Sequence, residues 1–445
     1  MSDYPKRIYV CHTLYHVYIS LLKEMNVVNE AQGNATLAGQ NASQNAMLAG
    51  QNASQNEMFA GNATSENMPN FMPEADLALS TAFMDFEDLG VRIAASTKLF
   101  RNIFSLREER PENHPEIMKY KENHHNIVRH MINRMIFTKK VGKLQDAYFD
   151  VDFKQYSDIY VFCDSDPIGY YLNYHHIPYH AVEDGLDCLK NFDAAHVDNA
   201  GHFGFKAWMA KHNFIFMQNG YSKYCTDMEI NDDSFLDYSF SKYKVVPRKK
   251  LEENITQQQK KEILSIFLPD ADTITARLQK HKNCILFLTE GFPGPHPEVR
   301  IQVSDEILKN YCEQNIRQLS LEEIHDFLKG KPVNNALEQR EITQSVHVVI
   351  KPHPRDDVDY QRLYPMCTVI RGKFPIEVLN FIEGIHFSKA ISIIPSALDS
   401  IEFADEKINI GPYIYDSYED PSIHAFMKIG WDKTHPPKDK QKGLL

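Results

Sequence analysis

The sequence predicts an α/β fold with two domains. Short apolar runs rich in β-branched and aromatic residues alternate with amphipathic helical patterns, which is typical of strand–helix–strand units in a parallel sheet. The pattern begins at Ile8-Tyr-Val-Cys11 and begins again at Cys284-Ile-Leu-Phe-Leu-Thr289. Because 445 residues exceed one ordinary hydrophobic core, each beginning is assigned to a domain of its own.

The first domain is expected to open with a strand, a turn and an amphipathic helix over residues 7–23. Residues 74–146 are predicted to be mainly helical. Strands are predicted at 158–163 and 178–183, and Pro167 marks the first turn of the helix between them, because proline is favoured at that position. These elements form a strand–helix–strand unit that delivers its last residues to one edge of the sheet.

An eleven-residue repeat interrupts the first domain after its first helix. Residues 39–49 are nearly copied by residues 50–60, within a degenerate segment that covers roughly 31–66. Two clear copies are too few to build a solenoid core. The repeat is therefore predicted to be an insertion in a surface loop.

The predicted domains are residues 1–250 and 283–445, joined by a polar, Lys/Gln-rich linker at 251–282. The second domain is expected to contain further elements in this order: helices near 303–314 and 320–329, a strand at 346–350, a helix near 376–383, and strands at 390–394 and 408–410. We expect the two domains to face one another across a cleft.

Composition limits the classes of function. The net charge of −12 argues against nucleic-acid binding and against a general attraction to anionic lipid. The seven cysteines form no Cys-x-x-Cys pair, which indicates reduced, buried thiols. No signal-peptide pattern, long apolar run or metal-ligand spacing stands out, so a metal-free cytoplasmic protein is expected.

A histidine flanked by cations is the most informative motif. The apolar run that begins at Val346 ends in Lys351-Pro-His353-Pro354-Arg355, at the carboxyl end of a predicted strand, where α/β proteins bind ligands. The flanking prolines restrict the backbone of His353. This histidine could donate a proton to a leaving phosphate oxygen, or it could simply bind a carbonyl at the strand end.

An acidic motif, Glu183-Asp184-Gly185, ends a strand of the first domain. Consecutive strand residues point to opposite faces, so at most one carboxylate enters the cleft unless Gly185 turns the chain. Such a carboxylate could accept a proton from an attacking hydroxyl. An ordinary Asp-Gly turn with a helix-capping acid is the alternative.

Two later residues could contact a nucleotide. Glu377 precedes a predicted helix and could accept both hydroxyls of a ribose, or it could complement the helix dipole. Ser396 follows an apolar strand and could cap a helix whose free amides bind phosphate. Capping alone would also explain this serine.

Taken in order, these motifs resemble those of bacterial sialyltransferases. The start, Tyr9-Val-Cys-His-Thr-Leu-Tyr-His16, is similar to glycosyltransferase family 52, the lipooligosaccharide and capsule sialyltransferases. The resemblance implies a GT-B-like fold of two Rossmann-type domains. It also implies an inverting, metal-independent enzyme that needs no cofactor and moves sialic acid from CMP-sialic acid to a galactose-ended glycan.

The resemblance also implies roles for individual residues. Asp184 or Glu183, followed by Gly185, would supply the acidic motif, and His353 would assist departure of the phosphate. The donor contacts would come from Lys351, Pro354, Arg355, Glu377 and Ser396. Ala397 replaces the second serine or threonine of the usual pair, so that contact is expected from a backbone amide or from Ser400. Glu290 is the alternative base.

The implied partners are a CMP-sugar donor, bound by the second domain, and a glycan acceptor, bound by the first. Membrane contact is expected to be peripheral at most, through a glycolipid acceptor at the inner face of the membrane, and a homodimer is compatible with the sequence. Two alternatives stay open. One is a related transferase with a Kdo or glucosyl donor, and the other is a non-catalytic protein that binds a glycan or nucleotide.

Overall fold

The computed structural model describes residues 6–50, 73–82, 84–86, 88–121, 126–162, 164–185, 188–191, 193–289, 297–314, 316–331, 346–354, 356–393 and 395–411, apart from the side chains of 32, 34–50, 188, 191, 395 and 396. The chain divides into two compact units. Unit 1 comprises residues 1–184 and 199–260, and unit 2 comprises 185–198 and 261–445.

Unit 1 contains a parallel sheet of seven strands. They are β1 (Arg7–Cys11), β2 (Ala75–Ser80), β3 (Phe100–Leu106), β4 (Asp158–Phe162), β5 (Tyr179–Val182), β6 (Cys225–Ile230) and β7 (Tyr243–Val245). Their order in the sheet is β3-β2-β1-β4-β5-β6-β7. In register, Arg7 pairs with Ala75 on one side and with Asp158 on the other.

Unit 2 contains a parallel sheet of five strands. They are β8 (Cys284–Leu288), β9 (His347–Lys351), β10 (Thr368–Val369), β11 (Phe387–Ser392) and β12 (Ala404–Asn409). Their order is β10-β9-β8-β11-β12. The core packed on this sheet includes Phe287, Ile350 and Ile391.

The α-helices surround these sheets in the order of the chain. They are α1 (Leu14–Gly50), α2 (Leu89–Ser96), α3 (Pro115–Met118), α4 (Ile127–Leu144), α5 (Pro167–Tyr174), α6 (Cys188–Asn191), α7 (Ala194–Asp198), α8 (Phe203–Lys211), α9 (Arg248–Glu253), α10 (Gln257–Phe267), α11 (Ala271–Leu278), α12 (Pro297–Asn310), α13 (Leu321–Leu328), α14 (Tyr360–Leu363) and α15 (Pro395–Asp399). Short 3₁₀ helices cover Pro111–Asn113, Gln145–Ala147, Phe153–Gln155 and Ile376–Phe381.

Both sheets are doubly wound. Counted from the first strand of each unit, both begin with the order 3-2-1-4-5, in which the strand order reverses beside the first strand. Burial explains why short continuous apolar runs form the central strands, since helices cover both faces of a parallel sheet. All five residues of β8 and all six of β2 are buried. The predicted α/β class with two Rossmann-type sheets is confirmed.

The prediction that residues 74–146 are mainly helical was wrong, because this segment also contributes β2 and β3. The β2 run, Ala75-Asp-Leu-Ala-Leu-Ser80, contains no β-branched or aromatic residue, and it includes a charged residue, Asp76. In the fold, Asp76 is buried because it accepts hydrogen bonds from Asn102 and from the hydroxyl of Tyr156. Tertiary partners therefore override the local pattern.

The repeat also differs from its prediction. Helix α1 continues to Gly50, so its first copy, at 39–49, is helical and not part of a loop. Alanine, glutamine, methionine and leucine in this copy all favour helix, which explains the extension. The second copy lies outside the described residues. Between residues 248 and 278, the segment predicted to link the domains forms helices α9, α10 and α11.

Candidate active site

The carboxyl edge of the unit 1 sheet gathers five polar side chains. Each ends or follows a different strand: His12 after β1, Ser80 at the end of β2, Glu108 after β3, Asp166 after β4 and Asp184 after β5. Parallel strands bring these ends to the same edge of the sheet, which is where ligands bind in open α/β folds. The strand order therefore assembles residues that are up to 172 positions apart in the sequence.

His16 holds the Asp184 carboxylate. Its Nδ1 accepts the backbone N–H of His12 at 3.0 Å, so Nδ1 carries no proton and the proton of the neutral ring lies on Nε2. Nε2 then donates a short hydrogen bond to Oδ1 of Asp184. The ring is fully buried and stacks on Phe162 with 4.4 Å between centroids. Burial lowers the pKa of His16, although Asp184 opposes this, which agrees with a neutral ring.

Asp184 itself is open to solvent on one side. Its side chain is 39% exposed, and only Oδ1 is bound to His16. Among the residues that the structure describes, none donates a hydrogen bond to Oδ2, so this oxygen is placed to accept a proton from outside. A carboxylate that is oriented by a buried N–H and still accessible has the properties of a general base.

A second histidine beside this pair is positively charged. His12 Nε2 contacts Glu108 Oε2 at 2.6 Å, and its Nδ1 lies 3.4 Å from Asp166. Burial opposes the charged form, but Glu108 and Asp166 outweigh it and raise the pKa of His12 to about 9. Glu108 is fixed in turn by the hydroxyl of Ser80 at 2.6 Å and the backbone N–H of Ile168 at 3.0 Å.

Asp166 precedes α5 but makes no side-chain cap of that helix. Burial raises the pKa of its carboxyl to about 7, and Glu108 and Asp184 add to the effect while His12 opposes it. Near neutral pH this edge of the sheet therefore holds one imidazolium and several carboxylates, of which Asp166 is partly protonated. The arrangement concentrates titratable groups where an active site is expected.

The two acids of the acidic motif lie in different environments. Glu183 is buried and accepts the backbone N–H of Asn231 at 2.8 Å, so it supports the chain after β6. Only Asp184 faces outward, as the alternation of strand residues predicts. The chain bends at Asp184 and Gly185, and Gly185 does so without a positive φ.

In unit 2, the loop after β9 is held by a buried carboxylate. Asp356 accepts hydrogen bonds from the hydroxyl of Tyr360 at 2.8 Å, from Arg300 at 3.3 Å and from the backbone N–H of Val358 at 3.2 Å. It also accepts a short hydrogen bond from the hydroxyl of Thr289. Four donors around one buried carboxylate offset the cost of its burial.

This network positions His353. The Thr289 hydroxyl, which donates to Asp356, accepts the backbone N–H of His353 at 3.1 Å, and the carbonyl of His353 accepts the backbone N–H of Asp356 at 2.8 Å. Hydrogen bonds therefore hold the backbone on both sides of His353. His353 and Pro354 are partly exposed at the carboxyl end of β9, as predicted. Arg355 lies outside the described residues, and so does Glu290, the alternative base.

Lys351 is less available than the sequence suggested. The side chain is 4% exposed, donates to the carbonyl of Pro352 at 2.8 Å and lies 4.3 Å from the centroid of Phe374. Burial lowers the pKa of Lys351 to about 7, although Glu377 opposes the shift. Burial likewise raises the pKa of Glu377. Burial therefore shifts each group toward its neutral form, and the charge of each opposes the shift of the other.

Glu377 and α15 lie next to one another. Glu377 is in the first turn of the 3₁₀ helix Ile376–Phe381, and the side chain of Ser400 donates a hydrogen bond to it. Ser400 Oγ also lies 3.1 Å from the carbonyl of Ala397. Ser396 is the second residue of α15, inside the helix and not at its cap, and its side chain is not described.

Several site residues were missed by sequence reasoning. His12 lies just before α1 and His16 in its first turn, and their position directly after a predicted strand was a usable signal. Asp356 lies three residues after His353, directly behind the motif, and is not distinguished in sequence from the other polar residues of the loop. Glu108 gave no local signal at all. Within the described ranges, no cluster of three or more His, Cys, Asp or Glu has a geometry that would hold a metal ion.

Two doubly wound parallel sheets, each with acid–base groups at its carboxyl edge, define a two-domain α/β protein of the kind that binds its ligands at that edge. The model of glycosyltransferase family 52 matches residues 117–398, which is more than half of the chain. The chain therefore belongs to glycosyltransferase family 52, and it is a glycosyltransferase.

Several known proteins are similar to this chain in sequence or in structure. A Haemophilus influenzae protein described only as uncharacterized is 37% identical over 62 residues, which cover 14% of this chain and 19% of that protein. A Photobacterium damselae sialyltransferase, solved as its GT-B domain, aligns with 14% identity and a TM-score of 0.41 over 98% of both chains. An α/β-galactoside α-2,3-sialyltransferase of Photobacterium phosphoreum aligns with 11% identity and a TM-score of 0.44, over 98% of this chain and 97% of that one.

In the part of the chain with described coordinates, no helix is both long and apolar enough to span a bilayer.

Proposed function

We propose that this protein is an inverting sialyltransferase that moves sialic acid from CMP-sialic acid to a galactose-ended glycan of a surface polysaccharide or lipooligosaccharide. Family membership supports glycosyl transfer. The observation that carries the mechanism is the orientation of Asp184 by the buried Nε2–H of His16. The sialyl donor and the galactose-ended acceptor are part of this proposal.

Asp184 is the proposed general base. Its Oδ1 is occupied by His16, so Oδ2 takes the proton of the acceptor hydroxyl as the new glycosidic bond forms. The hydroxyl oxygen attacks the anomeric carbon on the side opposite the phosphate, so the configuration inverts. The imidazolium of His12 nearby stabilises the ionised carboxylate before the proton arrives.

The leaving group is handled in unit 2. When the bond between the anomeric carbon and the phosphate oxygen breaks, CMP leaves with one more negative charge than its phosphodiester carried. We assign His353 to donate a hydrogen bond or proton to that oxygen, since Thr289 and Asp356 fix its backbone. In this proposal no divalent ion is required.

The nucleotide is proposed to bind beside α15. Glu377 would accept the ribose hydroxyls, and Ser396, Ser400 and the backbone near Ala397 would contact the phosphate. The hydrogen bond from Ser400 to Glu377 supports this assignment, because it puts the proposed ribose site and the proposed phosphate site in contact within unit 2. Arg355 and Pro354 would border the phosphate, and Lys351 would act from behind the loop.

The proposal is tested by supplying the purified protein with a panel of donors and a lactose-ended acceptor. CMP-sialic acid, CMP-Kdo and UDP-glucose are compared by nucleotide release and by the mass of the acceptor product. We expect acceptor-dependent CMP release and a gain of one sialyl residue with the first donor only. Turnover only with CMP-Kdo or UDP-glucose would overturn the donor assignment. Binding without turnover of any donor would indicate a non-catalytic protein.

A further inference from the structure

Asp166 lies at the same edge of the unit 1 sheet as Asp184, but the proposed reaction gives it no task. It follows β4 and Asp184 follows β5, and these strands are neighbours, with Phe162 paired to Val182. Burial raises the pKa of Asp166, and the charges of Glu108 and Asp184 raise it further, so the two aspartates lie within electrostatic range of one another. The side chain of Asp166 is 16% exposed and that of Asp184 is 39% exposed. Both acids are therefore partly open to a ligand at this edge.

The helix behind Asp166 does not explain its carboxylate. Asp166 is the N-cap residue of α5, where an aspartate usually accepts a backbone N–H of the first turn. Within the described first turn of α5, its side chain accepts no such hydrogen bond. Glu108, from the segment after β3, accepts the N–H of Ile168 at 3.0 Å instead. The cap of α5 is thus supplied from another part of unit 1, which leaves the Asp166 carboxylate to serve a different partner.

The charges around Asp166 limit what that partner can be. Nδ1 of His12 lies 3.4 Å from Oδ2 of Asp166, whereas Nε2 makes the closer contact with Glu108 at 2.6 Å. Because the imidazolium already brings a positive charge to Asp166, it would repel a second cation. Glu108, Asp166 and Asp184 outnumber His12, so an anionic ligand would also be repelled. A neutral group that donates a hydrogen bond fits this site, and a sugar hydroxyl is such a group.

We propose that Asp166 is a specificity-determining residue, which binds a second hydroxyl of the acceptor's terminal sugar beside the hydroxyl that Asp184 deprotonates. This assignment rests on the proposed transferase function and defines the acceptor end as a neutral sugar with two hydroxyls bound by the two aspartates. Hydrogen bonds to a charged carboxylate are stronger than those between neutral groups. Asp184 takes the proton of one hydroxyl as the new bond forms, whereas the O–H bond at Asp166 stays intact.

The test uses the full-length protein with CMP-sialic acid, lactose and a set of lactose analogues that each lack one hydroxyl of the galactose. The analogue that cannot be sialylated identifies the attacking hydroxyl. With one of the others, wild type should lose about 10-fold or more in kcat/KM. Asp166→Ala should show a similar loss with lactose but little further loss with that same analogue, because each change removes one partner of the same hydrogen bond. Additive losses would contradict the proposal.

Asp146→Asn is the matched control, since it removes a carboxylate that contacts His175 at 2.6 Å, at the other end of α5. It should leave transfer to every acceptor unchanged. Asp166→Asn keeps the size of the side chain and should give the same pattern with a smaller loss, which keeps the test valid if Asp166→Ala does not fold. If Asp166 only maintains the charge of His12, its replacement should slow transfer to all acceptors by the same factor, and that result would overturn the proposal.

Acceptor binding is measured separately, so that a failure of transfer is distinguished from a failure of this assignment. Saturation-transfer NMR in the presence of CMP follows the protons of lactose and its analogues on wild type and on Asp166→Ala. We expect a weaker lactose signal with the variant, and no difference between the proteins for the analogue that lacks the bound hydroxyl. Absence of turnover with this binding pattern would overturn the proposed reaction but support the role of Asp166. Equal lactose binding by both proteins, or no binding by wild type, would show that Asp166 does not bind the acceptor.

Discussion

The Nε2–H of His16 donates to the carboxylate of Asp184, 168 residues away in the sequence. The backbone N–H of His12 at Nδ1 fixes the tautomer, and burial against Phe162 fixes the ring. One oxygen of Asp184 is thereby held inside unit 1 while the side chain stays 39% exposed. A buried, neutral histidine that orients an accessible carboxylate links the packing of the sheet edge to its proposed chemistry.

The role of His16 is tested by His16→Phe, which keeps an aromatic ring and removes the donor. A hydrogen bond to a charged group contributes about 1.5–3 kcal/mol, so kcat should fall by about 10-fold or more with little change in the KM of the donor. The acidic limb of the pH–rate profile should also move to higher pH. His16→Gln retains a donor and should recover part of the activity.

Tyr18→Phe is the matched control, because it removes a 2.7 Å hydrogen bond to Glu252 from the same helix. It should leave both kcat and the pH profile unchanged. Equal behaviour of His16→Phe and Tyr18→Phe, with thermal unfolding showing both folded, would contradict the positioning role.

The charged state of His12 predicts how stability depends on pH. Its folded pKa of about 9 lies above the ordinary value of 6.5, so its contribution is fully present below pH 6.5 and is lost as pH rises through 9. That loss is on the order of 3 kcal/mol in the free energy of unfolding. The raised pKa of Asp166 acts between about 4 and 7, whereas the lowered pKa of Lys351 acts with the opposite sign above pH 7. The His12 contribution is therefore isolated by comparing two proteins that differ only at this residue.

Urea unfolding at pH 7, 8 and 9 measures this effect. The free energy of unfolding of wild type minus that of His12→Asn should fall as pH rises, because only wild type loses the contribution of His12. Parallel curves for the two proteins would show that His12 is not charged in the folded state.

Burial of Lys351 predicts that the free energy of unfolding changes with pH in the opposite direction. Burial lowers the pKa of Lys351 to about 7, so the amine is neutral in the folded protein at high pH. The free energy of unfolding therefore falls as pH is lowered toward 7, where the buried amine becomes protonated. Lys351→Met should therefore gain stability relative to wild type by about 1 kcal/mol per pH unit between pH 10 and 7. Lys373→Met, at an exposed position nearby, should show no such trend, and an identical trend in both variants would contradict the burial of an uncompensated amine.

The Thr289 hydroxyl is predicted to matter for both stability and turnover. Thr289→Val removes its hydrogen bonds to Asp356 and to the backbone of His353 in a buried site, which should cost about 1–3 kcal/mol of stability and lower kcat. Thr289→Ser should restore both. Tyr360→Phe removes another donor to Asp356 but leaves the contact with His353, so it should lower stability while kcat changes little. Equal loss of kcat in Thr289→Val and Tyr360→Phe would argue against a specific positioning effect.

Deletion of residues 39–60 should leave folding intact. The buried residues of α1 end at Val28, and the last residues of the helix whose side chains are described, 30, 31 and 33, are exposed. We expect the free energy of unfolding of the deletion variant to lie within about 0.5 kcal/mol of wild type, as for surface changes. A large loss of stability or of soluble expression would show that the repeat is structural.

The sequence predicted the central strands well, because β4, β5, β8 and β9 are continuous apolar runs between turn signals. It failed for β2, whose identity depends on partners for the buried Asp76. Sequence reasoning also placed Asp184 and His353 directly after such strands, where the structure has them. It could not find Glu108, because its contact with His12 spans 96 residues and depends on the order of the strands in the sheet.

The 3₁₀ helix that carries Glu377 and the helix that begins at Pro395 were both placed near their observed positions, yet their contact was not foreseeable. It depends on how Ser400 turns back toward Glu377 after α15. Such side-chain contacts between neighbouring connections follow from packing and leave no periodic signal in the chain.

The most direct measurement is acceptor-dependent CMP release from CMP-sialic acid by Asp184→Asn, compared with Glu183→Gln. The two residues are neighbours, but Asp184 is the proposed base whereas Glu183 binds the backbone of Asn231 inside unit 1. Loss of a general base should lower kcat by about 10²- to 10⁴-fold in Asp184→Asn, and Glu183→Gln should stay near wild type if it folds. Wild-type turnover in Asp184→Asn would contradict the account.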